Sequence, residues 1–275
     1  MSDQICSLVL AAHGSLAAEN SNQPLHDLAD SIAIALESRS ASRNFEIVSP
    51  AFLNGQPTMS NVLQSLPPGD VVVVPVMTSQ GYYMQKLPGK FAENNNAEQF
   101  RLWMTPVVGM HHSIPNRIQG RIARLLAKYE LAISETTVVV VGHGTRRNPS
   151  SGQSTIDLAN TLALHFPGLN FETAFLDQDP TVHQIAANIE TPNTLVIPFL
   201  ISRGPHSTED VPQAFGLPSG PDIQFPLVKG DNGLCICDLP VGMYPDIAEV
   251  CLELADDAVL NGKPIQLRAA GELTS

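Results

Sequence analysis

Short, nearly unbroken apolar runs alternate along the chain with stretches in which apolar residues recur every three or four positions. Leu8 to Ala12 and Val138 to Gly142 are runs of the first kind, as are the segments VVVVPVM (Val71 to Met77) and TLVIPFLI (Thr194 to Ile201). Continuous apolarity of this length fits strands buried on both faces, as in a parallel sheet. The second kind of stretch carries Leu25, Leu28, Ile32 and Leu36, and again Ile156, Leu158, Leu162 and Leu164. That spacing predicts helices. Further helices are predicted over Val62 to Leu66, Val182 to Ile189, Ile114 to Leu126 and Ile247 to Leu254, with a fourth strand ending near Val108 or Val241.

The pattern occurs twice because the sequence does. Residues 7–36 align without a gap to residues 137–166, so that His13-Gly14-Ser15 falls on His143-Gly144-Thr145 and Asp27-Leu28-Ala29 on Asp157-Leu158-Ala159. PAFLNGQPT from Pro50 matches TAFLDQDPT from Thr173, VVVPVMTSQGYY from Val72 matches LVIPFLISRGPH from Leu195, and PVVGMH from Pro106 matches PVGMYP from Pro240. Four blocks in one order indicate a duplicated unit of roughly 130 residues, a period far too long for a solenoid. The expected fold is α/β: two similar lobes related by a pseudo-twofold, each a parallel four-stranded sheet flanked by helices. Residues 1–128 form the expected N-terminal lobe and 135–275 the C-terminal lobe, with a cleft between them. The Pro/Gly-rich run from Pro212 to Asp238 exceeds its counterpart and is expected as an irregular loop or lid.

Composition narrows the partners. In 275 residues, 15 Lys and Arg against 27 Asp and Glu leave a net charge of −12, which disfavours nucleic acid and anionic membrane surfaces. Four cysteines, two of them in Cys235-Ile-Cys237, make neither a disulfide framework nor a zinc-ribbon spacing, so a reducing cytoplasm is the expected setting. The N-terminal run CSLVLAA is too short to span a bilayer, lacks a basic leader and recurs internally, and is read as a strand.

In open parallel sheets ligands bind beyond the carboxyl ends of the strands. In the second repeat those ends carry His143, Asp177 and His206; the matching residues of the first are His13, Asn54 and Tyr83. Two imidazoles and a carboxylate can hold a divalent first-row metal with open positions, whereas histidine, amide and phenol make a poor ligand set. The second lobe is thus expected to carry the chemistry and the first a degenerate copy. His111 and His112 are adjacent and are expected on the surface or at a cleft rim; Cys235 and Cys237 read as strand or loop cysteines. Arg146, Arg147 and Arg203 cluster at the same sheet end, an arrangement suited to a polycarboxylate ligand in an otherwise acidic protein.

These residues carry a resemblance. The (A/G)HG(S/T) turn, the AFL-acidic-x-x-P-T segment, the P-F-L-x-x-x-G-x-H-x-x-x-D-x-P segment and the P-V/L-G-M pattern together resemble the sirohydrochlorin chelatases, the ATP-independent class II tetrapyrrole chelatases in their long two-lobed form. The resemblance implies insertion of Fe²⁺ or Co²⁺ into sirohydrochlorin, for siroheme or cobalamin synthesis. Such a protein uses no nucleotide and no cofactor beyond the substrate metal, and no GxxxxGK[ST] loop is present. It further implies that His143 and His206 act as base and exchangeable metal ligands with Asp177 as ligand or proton acceptor, and that Thr145, Arg146, Arg147, Arg203, His13 and Tyr83 contact the macrocycle. Family members commonly carry Glu at the position of Asp177. A non-catalytic tetrapyrrole or metal carrier would use the same residues, and a mononuclear iron enzyme the same ligand types. A phosphohistidine enzyme would place Arg before His-Gly, where this chain has Ala12 and Gly142, and the GxSxG elbow of an α/β-hydrolase is missing.

Overall fold

The structure is a computed structural model, which describes residues 6–16, 22–38, 45–146, 149–230 and 233–267. Their elements alternate as the apolar pattern requires. Strands β1 (Cys6–Ala12), β2 (Phe45–Phe52), β3 (Gly69–Pro75) and β4 (Phe100–Met104) alternate with helices α1 (Gln23–Ser38), α2 (Met59–Ser65) and α3 (Tyr82–Ala92), and α4 (Ile114–Lys128) follows. The second repeat gives β5 (Thr136–Gly142), α5 (Gln153–His165), β6 (Asn170–Phe175), α6 (Val182–Asn188), β7 (Asn193–Pro198) and a π turn with α7 (Val211–Ala214). It ends with β8 (Leu227–Gly230), β9 (Leu234–Cys237), α8 (Ile247–Asn261) and β10 (Ile265–Gln266). No helix among the described residues is long and apolar enough to cross a membrane.

Two five-stranded sheets result, ordered β10-β4-β3-β1-β2 and β6-β5-β7-β9-β8. Four strands of each are parallel, as expected. The fifth is an added antiparallel edge, β10 on β4 and β8 on β9. β10 is only two residues long, too short for a periodicity signal, and β8 lies inside the Pro/Gly-rich run expected as loop or lid, part of which is therefore sheet. The central strands are uniformly buried: Leu8 to Leu10, Val71 to Val74 and Val138 to Val141 have no exposed surface. Each sheet changes direction at its first strand. β2 pairs on one side of β1 and β3 on the other, and β6 and β7 flank β5 in the same way. This is the strand order that opens a crevice at the carboxyl ends of the central strands.

The compact units do not coincide with the sequence repeats. One holds the described residues of Met1–His111 and Pro245–Ser275, the other those of His112–Tyr244. The helix that closes each repeat is exchanged. α4, expected in the first lobe, packs on α5, and α8 packs on α1, β3 and β4. Both present an apolar stripe, including Ile118 and Ile122 in α4 and Val250 and Cys251 in α8, all without exposed surface. A stripe states that a helix must be covered and leaves open by which sheet, so the 128/135 boundary read from the repeat is off by one helix in each unit.

Side chains fasten each exchanged helix. Arg121 of α4 hydrogen-bonds through Nε and Nη2 to Asp238, a residue with no exposed surface at the end of β9, and lies 4.6 Å over the Tyr244 ring. In the other unit His111 is buried beside α8, with Nε2 3.4 Å from Glu253 Oε2. The expected surface position of His111 is thereby corrected: the ring sits under the exchanged helix.

All four cysteines are free thiols. Cys235 and Cys237, two apart on β9 and so on one face, pack into the second unit's apolar cluster. Burial pushes the Cys235 thiol up to about 11, against the opposing pull of Lys229, and the fully buried Cys251 thiol up to about 12. Below the ordinary value of 9.0 the Cys251 thiol is protonated in folded and unfolded chains alike; above it the unfolded chain ionises first. Stability should accordingly fall as pH rises from about 9 toward 12, with Cys251 contributing about 1.4 kcal/mol per pH unit. Urea unfolding at pH 8 to 10.5 measures this, and Cys251→Ala should flatten the slope by that amount.

Candidate functional site

The second unit's site is assembled by backbone bonds that continue past the strand ends. Beyond β5 the chain turns at Gly144, whose φ of +66° is left-handed. A Cβ there would come within 2.8 Å of Gln178 Cβ and 3.1 Å of Phe175 Cβ, so the turn admits only glycine, directly after His143. Beyond β6, the Leu176 N–H donates to Gly142 O at 3.2 Å and the Asp177 N–H to His143 O at 3.0 Å, which sets the carboxylate beside the imidazole. The following PT pair starts α6: Thr181 caps it by accepting from the Gln184 N–H, and the Gln184 side chain closes a capping box.

After β7 the chain is pressed down by the PVGM turn. The Gly242 N–H donates to Leu200 O at 3.0 Å, and a Cβ on Gly242 would collide with Ile201 O. The loop then rises to His206, held from beneath by two buried hydroxyls. Ser207 Oγ bonds to Gly204 N and O and to Ser202 O, and Thr208 Oγ1 donates to Gly204 O.

The expected trio comes together in part. The His143 and His206 rings stand edge to face with centroids 5.1 Å apart, and His143 Nδ1 lies 3.6 Å from Asp177 Oδ2. Both imidazole side chains are 51% exposed and Asp177 60%, so an external ligand reaches all three. His143 Nδ1 lies 3.0 Å from Gly144 O. A carbonyl only accepts, so this nitrogen donates and the lone pair of a neutral ring is on Nε2. Asp177 therefore sits on the protonated side of His143. The three side chains stand as neighbours, and among the described residues no group of three His, Cys, Asp or Glu side chains is already arranged to hold an ion.

The remaining candidates separate. Thr145 lies in the turn, its N–H directed to Gln178 Oε1 at 3.4 Å, and Arg146 is exposed beside it. Arg147 falls outside the described residues. Arg203 is already engaged: Nη2 donates to Pro221 O at 2.7 Å and to Ile223 O at 2.6 Å, fastening the Pro/Gly-rich loop. Arg203 thus has an anchoring role, which nothing in the linear order revealed, since those carbonyls fold back onto it from the loop. One member of the site escaped the sequence reading. Asp210 Oδ2 is 2.6 Å from His206 Nδ1; it stands in the H-x-x-x-D-x-P segment at i,i+4 spacing, which alone assigned it no role.

The first unit repeats the scaffold with different contents. Gly14 has φ +69°, and a Cβ there would strike Asn54 O. His13 Nδ1 meets Gly14 O at 2.9 Å, and the Asn54 N–H donates to His13 O at 2.8 Å. Here Nε2 is not left open. Asn54 Nδ2 lies 3.4 Å from it and the Tyr83 ring packs edge-on at a centroid distance of 4.3 Å. With Nδ1 donating, Nε2 accepts from the amide.

Comparison with known proteins places these features in a family. A family model described as CbiX matches residues 7–125 and again 137–258, one match per repeat. A protein of Halobacterium salinarum called a probable sirohydrochlorin cobaltochelatase is 28% identical over 94% of this chain and 92% of its own length. Among solved structures, a multi-domain protein of Deinococcus radiodurans, described as similar in structure to chelatases with two additional novel domains, superposes with a TM-score of 0.70 at 21% identity. That alignment covers 95% of this chain and 56% of the larger protein, so the chain spans little more than half of its length. The sirohydrochlorin chelatase SirB of Bacillus subtilis subspecies spizizenii, solved in complex with cobalt, gives a TM-score of 0.64 at 15% identity over 94% of this chain and 96% of its own.

Proposed function

The chain belongs to the CbiX family, and from that premise we propose that it is a sirohydrochlorin chelatase, inserting Fe²⁺ or Co²⁺ into the macrocycle at the carboxyl end of the second unit's sheet. The observation that carries this reading is the pair His143 and His206, ring against ring with both Nδ1 atoms engaged, so that the lone pair of each neutral ring lies on Nε2. Metal insertion releases two pyrrole protons and replaces them by one divalent cation, so overall charge balances. An imidazole lone pair can accept such a proton or hold the cation, and can give up either.

In this scheme His143 takes a pyrrole proton on Nε2. The imidazolium so formed is stabilised by the Asp177 carboxylate 3.6 Å from Nδ1, which supplies negative charge where positive charge develops. His206 delivers the metal from the adjacent position, and its Nε2 lone pair, freed as the metal leaves, takes the second pyrrole proton. Arg146, exposed next to the histidine turn, meets the peripheral carboxylates of the macrocycle, and contacts remote from the reacting nitrogens can drive the ring toward a conformation that exposes their lone pairs. Thr145 lines the same edge. His13 and Tyr83, their ring edges occupied by one another and by Asn54, serve binding rather than insertion. No nucleotide enters the scheme. The four free thiols, three of them buried, suit a reducing cytoplasm.

The deciding experiment is anaerobic incubation of the protein with sirohydrochlorin and either Co²⁺ or Fe²⁺, followed by visible absorption. Metallation should run well above the spontaneous rate with at least one ion. Equal rates with and without protein would overturn the enzyme reading in favour of a carrier.

A further inference from the structure

His206 and His143 share a tautomer but owe it to different acceptors. His206 opens a π turn, His206–Asp210, closed by the Val211 N–H bonding back to His206 O. Single π turns of this kind frequently mark functional positions. Asp210, four residues on, sets Oδ2 2.6 Å from His206 Nδ1, so a carboxylate receives the ring proton; for His143 the acceptor is the neutral carbonyl of Gly144, at 3.0 Å, with the Asp177 carboxylate beyond hydrogen-bond distance at 3.6 Å. A carboxylate draws on the Nδ1 proton more strongly than a carbonyl does and leaves Nε2 the better electron-pair donor. The buried Ser207 and Thr208 hydroxyls hold the base of the turn, so the pair is presented on a fixed support.

The duplication supplies a control. In the register that sets Tyr83 on His206, the residue matching Asp210 is Leu87, which has no exposed surface. The carboxylate occurs in the repeat that has an imidazole at this position and is replaced by a core residue in the repeat that has a phenol, Tyr83, there.

Resting on the chelatase reading of this site, we propose that Asp210 is a positioning residue that makes His206 the stronger metal donor of the pair, leaving the carbonyl-backed His143 as the base. Its action is through His206; it touches neither metal nor macrocycle.

The test is Co²⁺ binding to the full chain without sirohydrochlorin, read by cobalt absorption and calorimetry, alongside ¹⁵N chemical shifts of the histidine rings. Asp210→Ala should weaken Co²⁺ binding by about 10- to 100-fold. Asp210→Asn, whose amide oxygen still accepts from Nδ1 without charge, should lose less. Both should melt at the wild-type temperature, Asp210 being 53% exposed. In a His206→Ala background Asp210→Ala should have no further effect. Unchanged Co²⁺ affinity in Asp210→Ala, an equal loss in the His206→Ala background, or a His206 ring that keeps its Nδ1–H tautomer without Asp210 would each overturn the proposal. Because no macrocycle is present, failure of metallation sinks the chelatase reading without deciding this experiment, and the converse holds as well.

Discussion

His143→Ala and His206→Ala should each lower the rate of sirohydrochlorin metallation by about 10²-fold or more, the usual scale for loss of a positioned acid–base group, whereas His13→Ala should stay within a few-fold of wild type. The asymmetry follows from what stands beside each ring. His143 carries the same backbone-determined geometry as His13 up to the ring, but only in the second unit does an imidazole, His206, stand next to it. In the first unit the amide of Asn54 lies 3.4 Å from His13 Nε2 and Tyr83 occupies the position of the second histidine. An imidazole whose lone pair already accepts a hydrogen bond must break that bond before it takes a proton or a metal. Initial rates by visible absorption, at saturating sirohydrochlorin and at two metal concentrations, distinguish lost chemistry from weakened metal capture. Melting temperatures should not move, since both rings are half exposed. If His13→Ala were the variant that lost activity, the assignment of the chemistry to the second unit would be wrong.

The parts of this site that were legible in the sequence are those enforced by short-range geometry. His-Gly at the end of an apolar run is readable because the left-handed turn at Gly144 admits no side chain, and the same constraint appears a second time at Gly14. The AFL-x-x-x-PT segment is readable because Thr181 must cap α6 while the Asp177 N–H bonds back to His143 O. The G of PVGM is readable for a similar reason, as Gly242 lies against the backbone of Ile201. Each is a backbone requirement met by one residue type.

What stayed hidden depends on contacts between segments far apart in the chain. That Arg203 braces the Pro/Gly-rich loop could not be read from its place after β7, because the two carbonyls its Nη2 meets come eighteen and twenty residues later. The exchange of α4 and α8 left no mark, since an apolar stripe does not name the surface that covers it. Asp210 stood in plain view in the H-x-x-x-D spacing, but its acidic neighbour Glu209 competes for the same reading, and only the π turn decides which carboxylate faces the ring.

The exchange of helices has its own energetic signature. Arg121→Ala should destabilise the second unit by about 3–5 kcal/mol, the scale for removing one partner of a buried ion pair. Asp238 has no exposed surface, and its carboxylate takes two bonds from the Arg121 guanidinium and one, at 3.4 Å, from the Tyr244 hydroxyl. With Arg121 gone, a buried negative charge keeps one long bond from a neutral donor, and the Tyr244 ring loses the cation 4.6 Å above it. Arg121→Lys should recover only part of the loss, because an ammonium cannot engage both carboxylate oxygens in the planar two-point arrangement. The combined change Arg121→Met with Asp238→Leu removes both charges and should lie much nearer wild type than Arg121→Ala, since the penalty arises from the unpaired charge and not from the missing attraction. Urea unfolding followed by far-ultraviolet circular dichroism measures all three. A loss under about 1 kcal/mol in Arg121→Ala, within the range of an exposed pair, would show that the apolar stripe of α4 holds the exchanged helix without this clasp.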